Sequence, residues 1–420
     1  MHVTSSEPLL QLDDTAAVVC WLLALVIGRS VMPALWLMAA PSAGRWLKGL
    51  LFVLFGAGLA ALFAWGGGEW LQLGVTCAGL LYFALIAWLA CMAVERGTAA
   101  RVTKPALFGS CALSFMLVPG LVLPAASLKP VLAIGFEMML STFSFVVEAR
   151  QTVKRPARSD AMFFLVVNPT LVYAERGRKL ELAAYGRGVA RIAAGIAGLA
   201  GTYLLARAFV HVMDGWPSLP GRADPSLRLI VAGAFTYATT YFGQSGVASL
   251  QLGWMRLLGW EVPERYCFPF LATSPSDFWQ RWNTYFGAWL RRYAFQPIAL
   301  YGRRHHAAWP ARFTTDAAVL ATFVASGLLH DYAAYPGSFD FPIGATLGFT
   351  CFGLGFIVWQ SSVRRCDRLL AVVPRRVRAL AGAVALLPLL SLMHQLMVHG
   401  ANGALPVAVG EWLGLRRLGF

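Results

Sequence analysis

Apolar windows of about twenty residues, each ended by a short polar or basic stretch, set the rhythm of this chain. Windows that long and that poor in charge are what a helix needs to cross roughly 30 Å of hydrocarbon. They fall near Ala16–Ala39, Trp46–Trp65, Trp70–Val94, Pro105–Pro124, Pro130–Val147, Val189–Met213, Leu227–Leu250, Thr315–Tyr335, Pro342–Ser362 and Ala379–Met397. The pattern predicts about ten membrane-spanning helices. One further apolar run, Ala161–Ala174 ("AMFFLVVNPTLVYA"), is shorter, carries an Asn-Pro break and has basic residues on both flanks. It predicts a re-entrant hairpin, which a bilayer tolerates only where other helices shelter its broken backbone.

Composition agrees with that pattern. The chain is 58% hydrophobic and only 13% charged, whereas about a quarter of the residues of a soluble domain are charged. The acidic leader "SSEPLLQLDD" ahead of the first apolar run has no basic n-region and no convincing small-residue cleavage site, so a removable signal peptide is not expected. The seven cysteines stand singly, without a C-x-x-C pair, and read as small buried apolar residues rather than a disulfide or zinc framework.

The formal net charge of +15 could suggest nucleic acid, but its distribution points to the membrane. Basic clusters at Arg45/Lys48, Arg96/Arg101/Lys104, Lys154/Arg155/Arg158, Arg176 to Arg191, Arg281 to Arg312 and Arg364 to Arg378 alternate with weakly charged or acidic loops such as "DGWPSLPGRADP" and "PGSFDF". With an extracytoplasmic N-terminus, every basic cluster falls on the cytoplasmic side. No internal repeat, heptad or low-complexity tract is visible, so an inverted-repeat transporter gains no support. The expectation is an all-α polytopic membrane protein, one domain over residues 1–420, in a bacterial inner membrane.

Two features carry candidate chemistry. The first is the stretch from Ser274 to Ile298, "SPSDFWQRWNTYFGAWLRRYAFQPI". There Trp279, Trp282, Asn283 and Phe286 follow an i, i+3, i+4, i+7 spacing that predicts one face of a single amphipathic helix. Such a helix would either lie at the headgroups, with aromatics as anchors and arginines on anionic lipid, or fold inward and aim Asn283 at a buried polar pocket. The second is His330, about fourteen residues into its span and so roughly 20 Å along it. An ionisable group at that depth is a functional candidate, against the alternative of a helix-end histidine capped by Asp331 at the far interface.

"FWQRWN" and "WLRRYAFQP", with a histidine some tens of residues later inside a span, together resemble the membrane-bound O-acyltransferase (MBOAT) family. The resemblance extends upstream through "YFGQSGVASLQLGWMRLLGWEVPERYCFPFLATSPSDFW", so that residues 237–335 form the core motif region, and "IGFEMMLSTFSFVVEA" is weakly similar to an earlier family helix. It implies helices around a central tunnel and transfer of an acyl group from a thioester, acyl-CoA, to a hydroxyl. Histidine, whose unperturbed pKa lies near neutrality, suits the base that takes the hydroxyl proton. His330 is that candidate, and Asn283 the donor that orients the reacting carbonyl.

Gln244, Asp277, Trp279, Arg281, Trp282, Arg291 and Tyr293 are expected to contact substrate, the arginines through CoA phosphates. No metal or resident cofactor is expected, and the adjacent His305 and His306 do not share a ligand face. Many bacterial glycan-modifying members carry histidine where Asn283 stands and "WHG" where this chain has "LHD". By that pattern the chain is similar to the lipid- and sterol-modifying branches. A glycan, a lipid alcohol or a small metabolite all remain as acceptors. The competing class is a secondary transporter or proton-coupled channel using buried Glu137, His330 and arginines.

Overall fold

The computed structural model describes residues 70–122, 125–151, 185–215, 225–257, 260–272, 274–305, 310–334 and 343–370, with short pieces at 164–165, 170–173, 178–179, 373–374, 377 and 380. Each expected span from Trp70–Val94 to Pro342–Ser362 has a helix in its place. These are α1 (Trp70–Glu95), α2 (Lys104–Val122, with a π turn at Leu113–Leu117), α3 (Ala125–Ala149), α4 (Tyr185–Gly215) and α5 (Pro225–Leu257). After them come the short α6 (Pro275–Arg281), α7 (Thr284–Leu290) and α8 (Gln296–His305), then α9 (Ala311–Ala334) and α10 (Gly344–Leu370). The expected spans Ala16–Ala39, Trp46–Trp65 and Ala379–Met397, and the N-terminal orientation, lie outside the described residues, apart from Leu380.

Three of the described helices are long and apolar enough to cross a membrane: Lys104–Val122, Gly186–Phe209 and Ala311–Tyr332. Their outward faces carry large apolar side chains, including Val122, Ile196, Leu204 and Leu328, all more than half exposed. A water-soluble helix would place charge at such positions; these suit lipid. The chain is an integral membrane protein, predominantly helical. Its one strand pairing among the described residues is a two-residue antiparallel ladder, β1 (Arg178–Lys179) with β2 (Trp260–Glu261).

The chain divides into two compact units, residues 1–203 with 244–262, and residues 204–243 with 263–420. In the first unit, α3 meets α1 and α2 at a glycine. A Cβ on Gly135 would lie 2.6 Å from the Phe115 carbonyl oxygen, so only hydrogen fits there, beside the paired rings of Phe83 and Phe115. Of the Ala161–Ala174 run, the described residues include Phe164 and Tyr173, whose rings meet each other and Phe145 of α3. The Tyr173 amide donates to the Ser144 hydroxyl on α3 at 2.9 Å. Between Phe164 and Tyr173, residues 166–169 lie outside the described residues.

Also in the first unit, α4 and α5 cross on facing glycines. A Cβ on Gly195 would stand 2.8 Å from the Gly246 carbonyl oxygen, and one on Gly253 would stand 2.8 Å from that of Gly188. The members of each helix's pair are seven residues apart, two turns on one face. This is the small-residue interface by which helices approach in lipid, where dispersion replaces the hydrophobic effect as the attraction.

The second unit is built around the α9–α10 hairpin. Gly327 lets α9 approach α10 so closely that a Cβ would meet the Thr346 Cα at 2.4 Å. The buried Asp331 of α9 then serves as the cap of α10. Its carboxylate accepts from the Ala345 amide at 2.8 Å, the Thr346 amide at 2.9 Å and the Thr346 hydroxyl at 2.6 Å. These amides are among the orphan donors that every helix start presents, and the negative charge sits at the favourable end of the helix dipole.

Candidate active site

The stretch expected to form a single helix from Ser274 onward is broken at its centre. α6 starts well: Ser274 is extended, its hydroxyl accepts from the Asp277 amide at 3.1 Å, and Pro275 follows in the first turn. It stops at Trp282, whose backbone is extended, and Asn283 turns the chain with a left-handed φ of 37°. Asn283 then caps α7, its side-chain oxygen accepting from the Phe286 amide at 3.5 Å and from Arg265 Nε at 3.1 Å. Trp279, Trp282, Asn283 and Phe286 therefore do not share a helical face, contrary to their spacing. Asparagine is among the few residues that enter the left-handed region readily, which is why the break falls there.

The break is held by the segment before α6. The Thr284 amide donates to the Arg265 carbonyl at 2.9 Å, the Thr284 hydroxyl to the Glu264 carbonyl at 2.7 Å, and the Tyr285 hydroxyl to the Pro263 carbonyl. Arg281 completes this frame. Its Nε donates to Asp277 at 2.7 Å, its Nη1 to the Cys267 carbonyl at 3.2 Å, and its own carbonyl accepts from the Cys267 amide at 2.9 Å. Asp277 and Arg281, expected on the substrate path, thus have partners within the protein.

His330 lies four residues before the end of α9 and, because the helix begins at Ala311 rather than Thr315, farther from its start than expected. Its Nδ1 is 2.7 Å from the Ser326 carbonyl oxygen. A carbonyl can only accept, so Nδ1 carries the proton and Nε2 of the neutral ring carries the free lone pair. Phe286 of α7 meets the imidazole edge-on at 5.5 Å between centroids, and Phe349 of α10 lies at 4.7 Å. Asp331, expected in the alternative reading as the cap of a helix-end His330, gives its carboxylate to the start of α10.

Aromatic rings continue outward from the histidine. Phe349 meets Trp279 at 6.0 Å, and Trp279 also packs on Phe278, Phe323 and Phe352. Trp282 stacks on Phe278 and on Tyr237 of α5, each at 5.6 Å. Spacing alone did not find Tyr237; only the tertiary fold brings α5 to this cluster. Tyr293 pairs with Trp289 at 5.2 Å, and Arg291, Arg303 and Arg304 are exposed. Gln244 and Glu137 belong to the first unit, and Gln244 is exposed. His305 is exposed at the end of α8, and His306 lies outside the described residues. Among the described residues no group of three or more His, Cys, Asp or Glu could hold a metal ion.

The model of the MBOAT, membrane-bound O-acyltransferase, family matches residues 187–398, half of the chain, including all of the second unit's described helices. A protein called probable alginate O-acetylase AlgI, from Azotobacter vinelandii, is 28% identical over 166 residues, 39% of this chain and 29% of that one. The proteins of the same name from Pseudomonas putida and Pseudomonas aeruginosa are each 31% identical over 99 residues. Those stretches cover 23% of this chain and 19% and 18% of the relatives, so the chain spans less than a third of the length of the curated relatives it matches. By name these relatives are alginate O-acetylases, so the likeness to lipid- and sterol-modifying branches expected from Asn283 and Leu329 gains no support from them.

Proposed function

This chain belongs to the membrane-bound O-acyltransferase family, and on that footing we propose that it moves an acyl group from acyl-CoA to a hydroxyl acceptor, with His330 as general base. The observation that carries the reading is the bond from His330 Nδ1 to the Ser326 carbonyl, which leaves Nε2 as the proton acceptor. Nε2 takes the acceptor's hydroxyl proton as that oxygen attacks the thioester carbon. The tetrahedral intermediate collapses, the carbon–sulfur bond breaks, and the leaving thiolate takes the proton from the imidazolium. The products are an ester and free CoA thiol.

Asn283 uses its side-chain oxygen on Arg265 and the Phe286 amide. Its amide nitrogen is the donor half, proposed to stabilise the developing oxyanion. Exposed Arg291, Arg303 and Arg304 supply positive charge for the CoA phosphates at the cytoplasmic face, and Trp279, Trp282 and Tyr293 border the route inward. About ten spans around a central tunnel, an extracytoplasmic N-terminus and a bacterial inner membrane complete the proposal. The names of the relatives support an acetyl group as cargo and a polysaccharide hydroxyl as acceptor.

The test uses the purified full chain in nanodiscs with acetyl-CoA labelled in the acetyl group and a polyuronate acceptor. Label in alkali-labile ester on the polymer, with one free thiol per ester, is the expected result. Proton flux through proteoliposomes without any thiol release from acyl-CoA would instead favour the transporter class.

A further inference from the structure

The outer face of α1, in the first unit, ends in positive charge. Leu81, Leu85, Trp88 and Leu89 are exposed along one stripe of the helix, at i, i+4, i+7 and i+8, while Phe83, Ala87, Cys91 and Val94 on its other side are buried. Arg96 continues the exposed stripe. It stands seven residues beyond Leu89, and its amide still donates to the Met92 carbonyl at 2.9 Å, as in a helix. From Leu81 to Arg96 the chain rises about 22 Å, which is about the depth of one bilayer leaflet with its headgroups.

Further cations gather at the same end. Gly97, with a left-handed φ of 72°, turns the chain into the single 3₁₀ turn Thr98–Arg101, and α2 follows from Lys104. Arg150, one residue past the end of α3, donates from Nη1 to the Val102 carbonyl at 2.8 Å and so holds its charge at this turn. Arg96, Arg101 and Lys104 are exposed, and none of the three is in an ion pair among the described residues. Glu95 and Glu148, the acidic residues at these helix ends, are half-buried and have partners of their own. Like charges gathered without a counter-charge repel one another, and the start of α2 adds the positive end of a helix dipole, so the turn favours an anion.

A free phosphate would answer the charges and leave the leucine stripe without a partner. A zwitterionic lipid would cover the stripe and cancel its phosphate with its own cation. A lipid with a net negative headgroup matches both. We infer that the turn between α1 and α2 is a binding site for an acidic phospholipid, its phosphate against Arg96, Arg101 and Lys104 and an acyl chain along Leu81, Leu85 and Leu89.

Native mass spectrometry of the full chain in detergent reads the first lipid bound. The wild type is expected to take palmitoyl-oleoyl phosphatidylglycerol about ten-fold more tightly than the matching phosphatidylcholine. Arg101→Gln together with Lys104→Gln should weaken phosphatidylglycerol by about 25-fold, about five-fold for each charge, and leave phosphatidylcholine unchanged. Their melting temperature without lipid should match the wild type, since both side chains are exposed. Arg303→Gln with Arg304→Gln removes the same charge from α8 and should bind like the wild type. Glycerol 3-phosphate in excess, a headgroup without chains, should not displace the lipid. Equal affinity of the wild type for the two lipids overturns the inference. An equal loss in the Arg303/Arg304 variant also overturns it, because the preference would then follow net charge alone, and displacement by glycerol 3-phosphate would leave an anion site without a lipid.

Discussion

The α4–α5 crossing and the surroundings of His330 solve helix packing in opposite ways. At the crossing, Gly188, Gly195, Gly246 and Gly253 bring two backbones together until no Cβ fits between them. Toward α5, α6 and α7 the surroundings of His330 are filled by rings, among them Phe286, Phe349, Trp279, Phe278 and Tyr237, while Gly327 on the same helix draws α9 onto α10 as closely as the glycines of the crossing. A glycine contact is satisfied by its own atoms and leaves nothing for a ligand. An aromatic cluster stands helices further apart, and its ring edges carry polar atoms that the packing need not satisfy. The first arrangement builds a scaffold; the second leaves the Tyr237 hydroxyl and the Trp279 indole nitrogen buried without a hydrogen-bond partner among the described residues.

The sharpest way to break this contrast is at the glycines. Gly195→Leu drives a side chain into the Gly246 carbonyl and the Leu250 side chain, with no flexible neighbour at the backbone atom to yield. A cost of about 3 kcal/mol or more is expected, read as loss of monodisperse, heat-stable protein in detergent. Recovery of normal protein from Gly195→Leu would show that the crossing is not the tight contact described.

Asn283 divides the cost of structure from that of chemistry. Asn283→Ala loses both the cap and the left-handed tolerance, so about 2 kcal/mol of stability should go with it, while Asn283→Gly keeps the turn and loses well under about 1 kcal/mol. Both remove the amide donor, and both should lower kcat by about 10²-fold if that donor acts at the reacting centre. A glycine variant with unchanged kcat would confine Asn283 to capping α7.

Asp331→Asn tests the hairpin. It leaves one accepting oxygen for three donors and turns an NH2 group toward some of them, so about 1–2 kcal/mol of stability should disappear. Thermal denaturation in nanodiscs measures it, and an unaltered melting temperature would remove Asp331 from the account of the hairpin.

Hydropathy made the helices from α1 to α5 and the α9–α10 pair legible, because lipid forces long uncharged runs into helices whatever their partners. His330 was legible for a related reason, as an ionisable residue in an apolar span. The break at Asn283 was not. A face at i, i+3, i+4 and i+7 assumes continuous helix, and the left-handed residue in its middle cancels that arithmetic. The clue was the residue type, asparagine followed by threonine, but its fixing depends on Arg265 and Glu264, which reach it through the fold. Tyr237 and the service of Asp331 to α10 were likewise hidden, since each depends on which helices become neighbours.

The central claim, that His330 is the base of an acyl transfer, is tested most directly by single-turnover release of CoA thiol from acetyl-CoA in the presence of acceptor. The comparison is between wild-type protein and His330→Ala at matched folded concentration. The account predicts normal folding, retained binding of the thioether analogue and a rate lowered by about 10²- to 10⁴-fold, the range for losing a general base. A well-folded His330→Ala protein that turns over near the wild-type rate would contradict it.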